Sequence, residues 1–165
     1  MRTPGTLAVA GAIAIAGIGW TGCSSQAGET PDATASAERA APSEVTVIGL
    51  DYAFGGPRAL PPGPTSIAFE NRGEVDHEMI LVLLKQGVTL DQVLEGVAAG
   101  ADPDEFTEGG AAILIVGPGQ TADSRVQVDL LPGRTYALVC NLQDEPDAPP
   151  HTALGMVAAL EISDQ

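Results

Sequence analysis

Ala111-Ala-Ile-Leu-Ile-Val116-Gly-Pro-Gly119-Gln-Thr-Ala-Asp-Ser-Arg-Val-Gln-Val-Asp-Leu130-Leu-Pro-Gly133-Arg-Thr135-Tyr-Ala-Leu-Val-Cys140 is the stretch that decides the fold. Short apolar runs are broken by Gly117-Pro118-Gly119 and by Pro132-Gly133. This spacing predicts strands over 111–116, 122–130 and 135–140, joined by turns. Working outward, 45–50, 65–70, 77–84 and 154–162 read the same way, with Pro61-Pro62-Gly63 as another turn. Seven strands without βαβ alternation predict an all-β fold, a Greek-key antiparallel β-sandwich or barrel. One short helix is inserted. Thr89-Leu-Asp-Gln92 has capping-box spacing, and Leu90, Val93, Leu94, Val97 and Ala98 recur at helical intervals before Gly100, so an amphipathic helix is expected to cover a flank of the sandwich. Asp102-Pro103-Asp104-Glu105 can start a second helical turn, its acids read as a solvated face.

Upstream the composition changes. Residues 1–22 carry Arg2, an apolar run from Leu7 to Ile18 and the small-residue exit Thr21-Gly22-Cys23, the pattern of a secretory signal too short to span a membrane and stop there. Thr-Gly-Cys resembles a bacterial lipobox, with Trp20 a departure from the usual aliphatic residue. It implies a lipidated Cys23 and a protein held at a membrane face on the periplasmic or extracellular side. Plain secretion, with Cys23 free or paired to Cys140, is the other reading. Residues 23–43 are rich in Ala, Ser, Thr, Pro and Glu and cannot build a core; as a flexible tether they span about 25 Å. The folded domain is expected over 44–165.

The 165 residues are 44% hydrophobic, which is one domain's worth of core. A formal charge of −15 argues against nucleic acid or an anionic lipid surface as the main partner. With two His and two Cys, the chain alone cannot build a zinc ribbon, a four-Cys iron–sulfur cluster or a multinuclear copper enzyme.

Those few residues are placed informatively. His77 and His151 lie near strand ends, Cys140 ends a strand, and Met156 follows His151 by five positions. Strand alternation lets Cys140 and Met156 both point into one end of the core. Singly, a buried Cys or Met is ordinary core filling and a lone His a structural donor. Together, two imidazoles, a thiolate and a thioether are the ligand set of a trigonal copper site with a weak axial Met. Met79 shares a face with His77 and is a second thioether in reach. Zinc remains open by ligand type.

Over residues 44–163 the sequence resembles the cupredoxins, the blue copper proteins. Asn71-Arg-Gly-Glu-Val-Asp-His77 resembles the segment that supplies their first imidazole, Leu131 to Cys140 their Pro-Gly turn and Cys-bearing strand, and His151-Thr-Ala-Leu-Gly-Met156 their closing ligand loop. The resemblance implies His77, Cys140, His151 and Met156 as ligands of one copper, with Asn71 beside them, in a carrier of single electrons rather than an enzyme. Copper capture or delivery and a metal-free binding module are the rivals. The connection from Asn141 to Pro150 is longer than in the small electron carriers of the family and resembles that of copper nitrite reductases. It carries Asp144, Glu145 and Asp147, read either as an acidic rim that attracts a basic redox partner or as a solubilising loop.

Overall fold

The computed structural model describes residues 41–164. The leader, Cys23 and all but the last three residues of the expected tether lie outside the described residues. Each apolar run between Pro and Gly breaks becomes a strand. The strands are β1 (Ser43–Leu50), β2 (Ala53–Gly55), β3 (Ala59–Leu60), β4 (Gly63–Asn71), β5 (His77–Leu84), β6 (Thr107–Val116), β7 (Val126–Leu130), β8 (Thr135–Val139) and β9 (Val157–Ile162). They form a sheet of order β2-β1-β4-β7 and a second of order β3-β9-β8-β5-β6. Period-2 alternation gives each sheet one apolar face, and the two faces meet. Val47, Ile67 and Phe69 from the first sheet join Met79, Leu81, Val116, Leu138 and Leu160 from the second in one buried cluster. Each large side chain buried there contributes about 1.5–3 kcal/mol.

The all-β sandwich with an inserted helix is as expected, but its sheets are mixed rather than purely antiparallel. β1 pairs parallel to β4, with Val47 opposite Phe69, and β3 pairs parallel to β9. Parallel neighbours need a crossover of about a dozen residues. Residues 51–62 supply it, because β2 folds back on β1 while β3 joins the other sheet.

The helix α1 (Leu90–Ala98) forms behind its capping box: Gln92 N–H donates to Thr89 Oγ1 and Thr89 N–H to Gln92 Oε1. Its apolar side faces Ile80, Val82 and Val139 on the outer surface of the five-stranded sheet, so it covers a flank and no helix residue is fully buried. Gly96 lets the Phe106 ring sit where a Cβ would stand. Asp102 caps a single 3-10 turn over Pro103–Glu105. Among the described residues no helix is long and apolar enough to cross a membrane.

Candidate metal centre

His77 is aimed by the turn that precedes it. β4 ends at Asn71, whose buried side-chain amide donates to Val75 O at 2.7 Å and to Val116 O at 2.9 Å, while its Oδ1 accepts Gly73 N–H at 2.8 Å. One side chain thus ties the 72–76 turn to the end of β6 in the opposite sheet. His77 follows as the first residue of β5, fully buried. Its ring lies between two glycines: a Cβ on Gly49 would meet Cδ2 at 3.3 Å, and one on Gly73 would meet Nε2 at 2.7 Å and collide with Asp51 Oδ1. The Asp51 carboxylate can swing away, but the ring cannot. Gly73→Ala is therefore expected to cost about 1–3 kcal/mol through overpacking and to weaken metal binding, read from denaturant midpoints with and without the ion.

Cys140 leaves β8 as a free, buried thiol. Its sulfur accepts the Glu78 N–H at 3.4 Å, and Glu78 Oε1 accepts the Asn141 N–H at 2.7 Å. The next ten residues return to the same place, with His151 N–H on Leu142 O at 2.8 Å. His151 opens the 3-10 turn His151–Leu154, which ends at Gly155 in the left-handed conformation; the expected start of the last strand at 154 gives way to this turn. Thr152 Oγ1 donates to Cys140 O at 2.6 Å. Met156, fully buried, donates its N–H to His151 O at 2.9 Å and accepts the Cys140 N–H at 3.2 Å. The backbone therefore binds Cys140, His151 and Met156 together.

The outcome is a convergence of donors. His77 Nδ1 lies 3.3 Å from His151 Nδ1, and Cys140 Sγ lies 3.4 Å from the same His151 nitrogen; the three ligating atoms fall within 4.8 Å of one another. An ion about 2.0 Å from each nitrogen and 2.3 Å from sulfur holds two nitrogens about 3.3–3.5 Å apart. The spacing fits one such ion. The protonation states fit as well. Burial, then the neighbouring His151, hold His77 below its ordinary pKa against the pull of Asp51, so it is a neutral ligand at neutral pH. Burial pushes the Cys140 thiol up, opposed by the N–H groups of Glu78 and Leu142 that point at its sulfur, so an ion displaces a proton there.

Both rings turn Nδ1 inward and Nε2 outward, and a carboxylate faces each outer nitrogen. Asp144 Oδ1 is 3.0 Å from His151 Nε2, and Asp51 Oδ1 is 3.6 Å from His77 Nε2. Asp144 is thus part of the wall of the site, whereas Glu145 and Asp147 are exposed beside it. Asp51, Tyr52 and Glu78 escaped the sequence analysis. Tyr52 donates its hydroxyl to Asp144 Oδ2 at 2.7 Å, and its ring stands edge-on to His151 with centroids 5.1 Å apart. No sequence signal marks an Asp-Tyr pair at the end of a first strand. Glu78 is the more legible, as a lone acid amid the apolar run 77–84.

No protein-family model matches this sequence, and no curated protein matches it either. Solved structures do. A dithionite-reduced auracyanin from the photosynthetic bacterium Roseiflexus castenholzii is 19% identical with a TM-score of 0.46, over 75% of this chain and 99% of that one. Auracyanin B is 21% identical, TM-score 0.47, over 75% and 91%. Auracyanin A, described as a "blue" copper protein from the green thermophilic Chloroflexus aurantiacus, is 21% identical, TM-score 0.44, over 74% and 100%.

Proposed function

We propose that this chain is a mononuclear copper protein that transfers single electrons between redox partners outside the cytoplasm, held at a membrane through Cys23. The observation that carries the reading is the convergence of His77 Nδ1, His151 Nδ1 and Cys140 Sγ in a buried pocket with the spacing of one ion. Copper, when bound, supplies the one-electron couple. His77 and His151 offer imidazole nitrogens, Cys140 a soft thiolate, and Met156 a thioether on a residue whose backbone is bonded to both Cys140 and His151. The ligand residues sit at strand ends of the five-stranded sheet and in the turn before β9, with Gly49 of the other sheet against the His77 ring, so the site resists rearrangement between oxidation states. The backbone N–H groups directed at the sulfur tune the potential.

Two surface features fit a partner of opposite charge. The chain carries −15 overall, Asp51 and Asp144 face the two imidazoles, and Glu145 and Asp147 are exposed in the same loop as Asp144. A basic docking surface would be steered to this end of the domain. The loop 141–150 folds against the site through Asp144 rather than leaving an open rim, which favours a carrier over a protein that hands copper on.

The test is a Cu(II) titration of the full chain bearing Cys23→Ser, so that Cys140 is the one thiol. An intense visible thiolate-to-copper band, narrow hyperfine splitting and copper lost only slowly to a chelator are expected. Colourless binding, or tight binding of Zn(II) with no blue copper form, overturns the reading. Rapid loss of copper to the chelator transfers the assignment to copper delivery.

A further inference from the structure

The turn between β1 and β2 touches both imidazoles from outside. Asp51 stands 3.6 Å from His77 Nε2 and is pinned by accepting the Glu74 N–H at 2.8 Å. Tyr52, the next residue, bonds through its hydroxyl to one oxygen of Asp144, whose other oxygen meets His151 Nε2. Tyr52 is also the one non-glycine among the described residues with a positive φ, 59°. A bulky side chain adopts that conformation only under strain, and here the strain is offset by the bond to Asp144 and the edge contact with the His151 ring. His151, though it lies on a loop at the end of the domain, has none of its surface exposed. What solvent meets in its place is Tyr52 and Asp144.

For a neutral His151 imidazole only one proton arrangement satisfies this chain of contacts. Asp144 accepts the Tyr52 hydroxyl and can accept again from His151, so His151 carries its hydrogen on Nε2 and turns a bare lone pair on Nδ1 toward His77 and Cys140. A carboxylate behind a ligating imidazole fixes both tautomer and ring orientation.

We infer that Tyr52 and Asp144 form a latch over His151: Asp144 is a positioning residue that presents His151 Nδ1 to the metal, and Tyr52, acting through Asp144, keeps the latch shut against exchange of the ion. The inference rests on the copper reading above for its effect on exchange, and on the metal-free geometry alone for its effect on His151.

Two measurements on the full chain separate these. In the copper-loaded protein, the rate of copper transfer to excess EDTA is compared for the parent, Tyr52→Phe, Asp144→Asn and Asp144→Ala. Loss of a group behind a ligating histidine typically weakens a metal site about 10–100-fold, so Asp144→Ala is expected to release copper faster by a factor in that range. Asp144→Asn, which can still accept from Nε2–H, is partly rescued. Tyr52→Phe is faster than the parent, and Tyr52→Phe combined with Asp144→Ala is no faster than Asp144→Ala alone. In the metal-free protein, imidazole nitrogen spectra at neutral pH are expected to show His151 as the Nε2–H tautomer in the parent and as a mixture in Asp144→Ala. A merely structural role would lower the melting temperature and leave tautomer and release rate unchanged. That result overturns the latch, as does full additivity in the double variant. If the parent takes up no copper, the copper reading falls, and the nitrogen spectra alone decide the hold on His151.

Discussion

Cys140→Ser is expected to abolish the intense visible band and to weaken copper binding by at least about a thousandfold, roughly 4 kcal/mol, while the domain stays folded. The sulfur is the one soft donor besides the thioethers, and its thiolate is both the source of the charge-transfer band and the ligand that selects copper. A serine hydroxyl at the same place is hard and keeps its proton at every accessible pH. The fold survives because Cys140 packs as a small side chain, and the Glu78 N–H now directed at sulfur can donate to a hydroxyl instead. Burying that hydroxyl costs about 1–2 kcal/mol. The same residue gives the site its pH dependence. Burial raises the free thiol's pKa, whereas His77 is lowered. The proton that an ion must displace from Cys140 therefore sits on the sulfur at neutral pH, and each ion bound there releases it. Apparent affinity should climb about tenfold per pH unit through the neutral range, and Cys140→Ser should flatten that slope. Undiminished affinity with an unchanged slope in the variant would remove Cys140 from the site.

Most of the strands were legible because the chain is punctuated. Val45 to Leu50 and His77 to Leu84 are apolar runs bounded by turn residues, and nothing longer competes with them. β2 and β3 were not legible. Ala53-Phe54-Gly55-Gly56-Pro57 reads as a turn, and these two- and three-residue strands exist because β1 and β9 offer them free edges. Direction was hidden too, since alternation has the same period in parallel and antiparallel pairs. β6 begins at Thr107 rather than 111 because Glu108 and Thr107 pair with Leu83 and Leu84 across a bulge, a decision made by the neighbouring strand against the local Gly109-Gly110.

At the site, legibility tracked chemistry. His77, Cys140 and His151 are scarce residue types at strand ends, and the fold gathers them. Asp144 looked like a solvated rim acid because nothing in the local composition distinguishes it from Glu145 or Asp147. It faces His151 because the loop closes on itself, with Ala148 N–H on Glu145 O and Gln143 on Ala148 O. Tyr52 was invisible for a similar reason: its value lies in a left-handed conformation and in a partner 92 residues away.

Asn71→Ala separates the scaffold from the metal in the opposite sense to Cys140→Ser, since it touches no ion and should disable both. The side chain makes three hydrogen bonds and is fully buried. Val75 O and Gly73 N–H lie in a partly exposed turn and can recover water, but Val116 O sits at the inner end of β6 and cannot. One carbonyl left unsatisfied plus two weakened contacts cost about 2–4 kcal/mol, read as a shift in the denaturant midpoint without change in slope. Asn71→Asp should be no better. It keeps the acceptor for Gly73 but sets carboxylate oxygen against the two carbonyls that the amide served. The turn 72–76 loses its anchor in either case, so His77 is no longer held between Gly49 and Gly73, and the blue band should shift and weaken at saturating copper. Because copper binds the native form alone, saturating ion should recover part of the lost stability, whereas Cys140→Ser should gain far less from the same ion concentration. An Asn71→Ala chain within about 0.5 kcal/mol of the parent, with an unaltered band, would mean that the turn is held by its backbone alone.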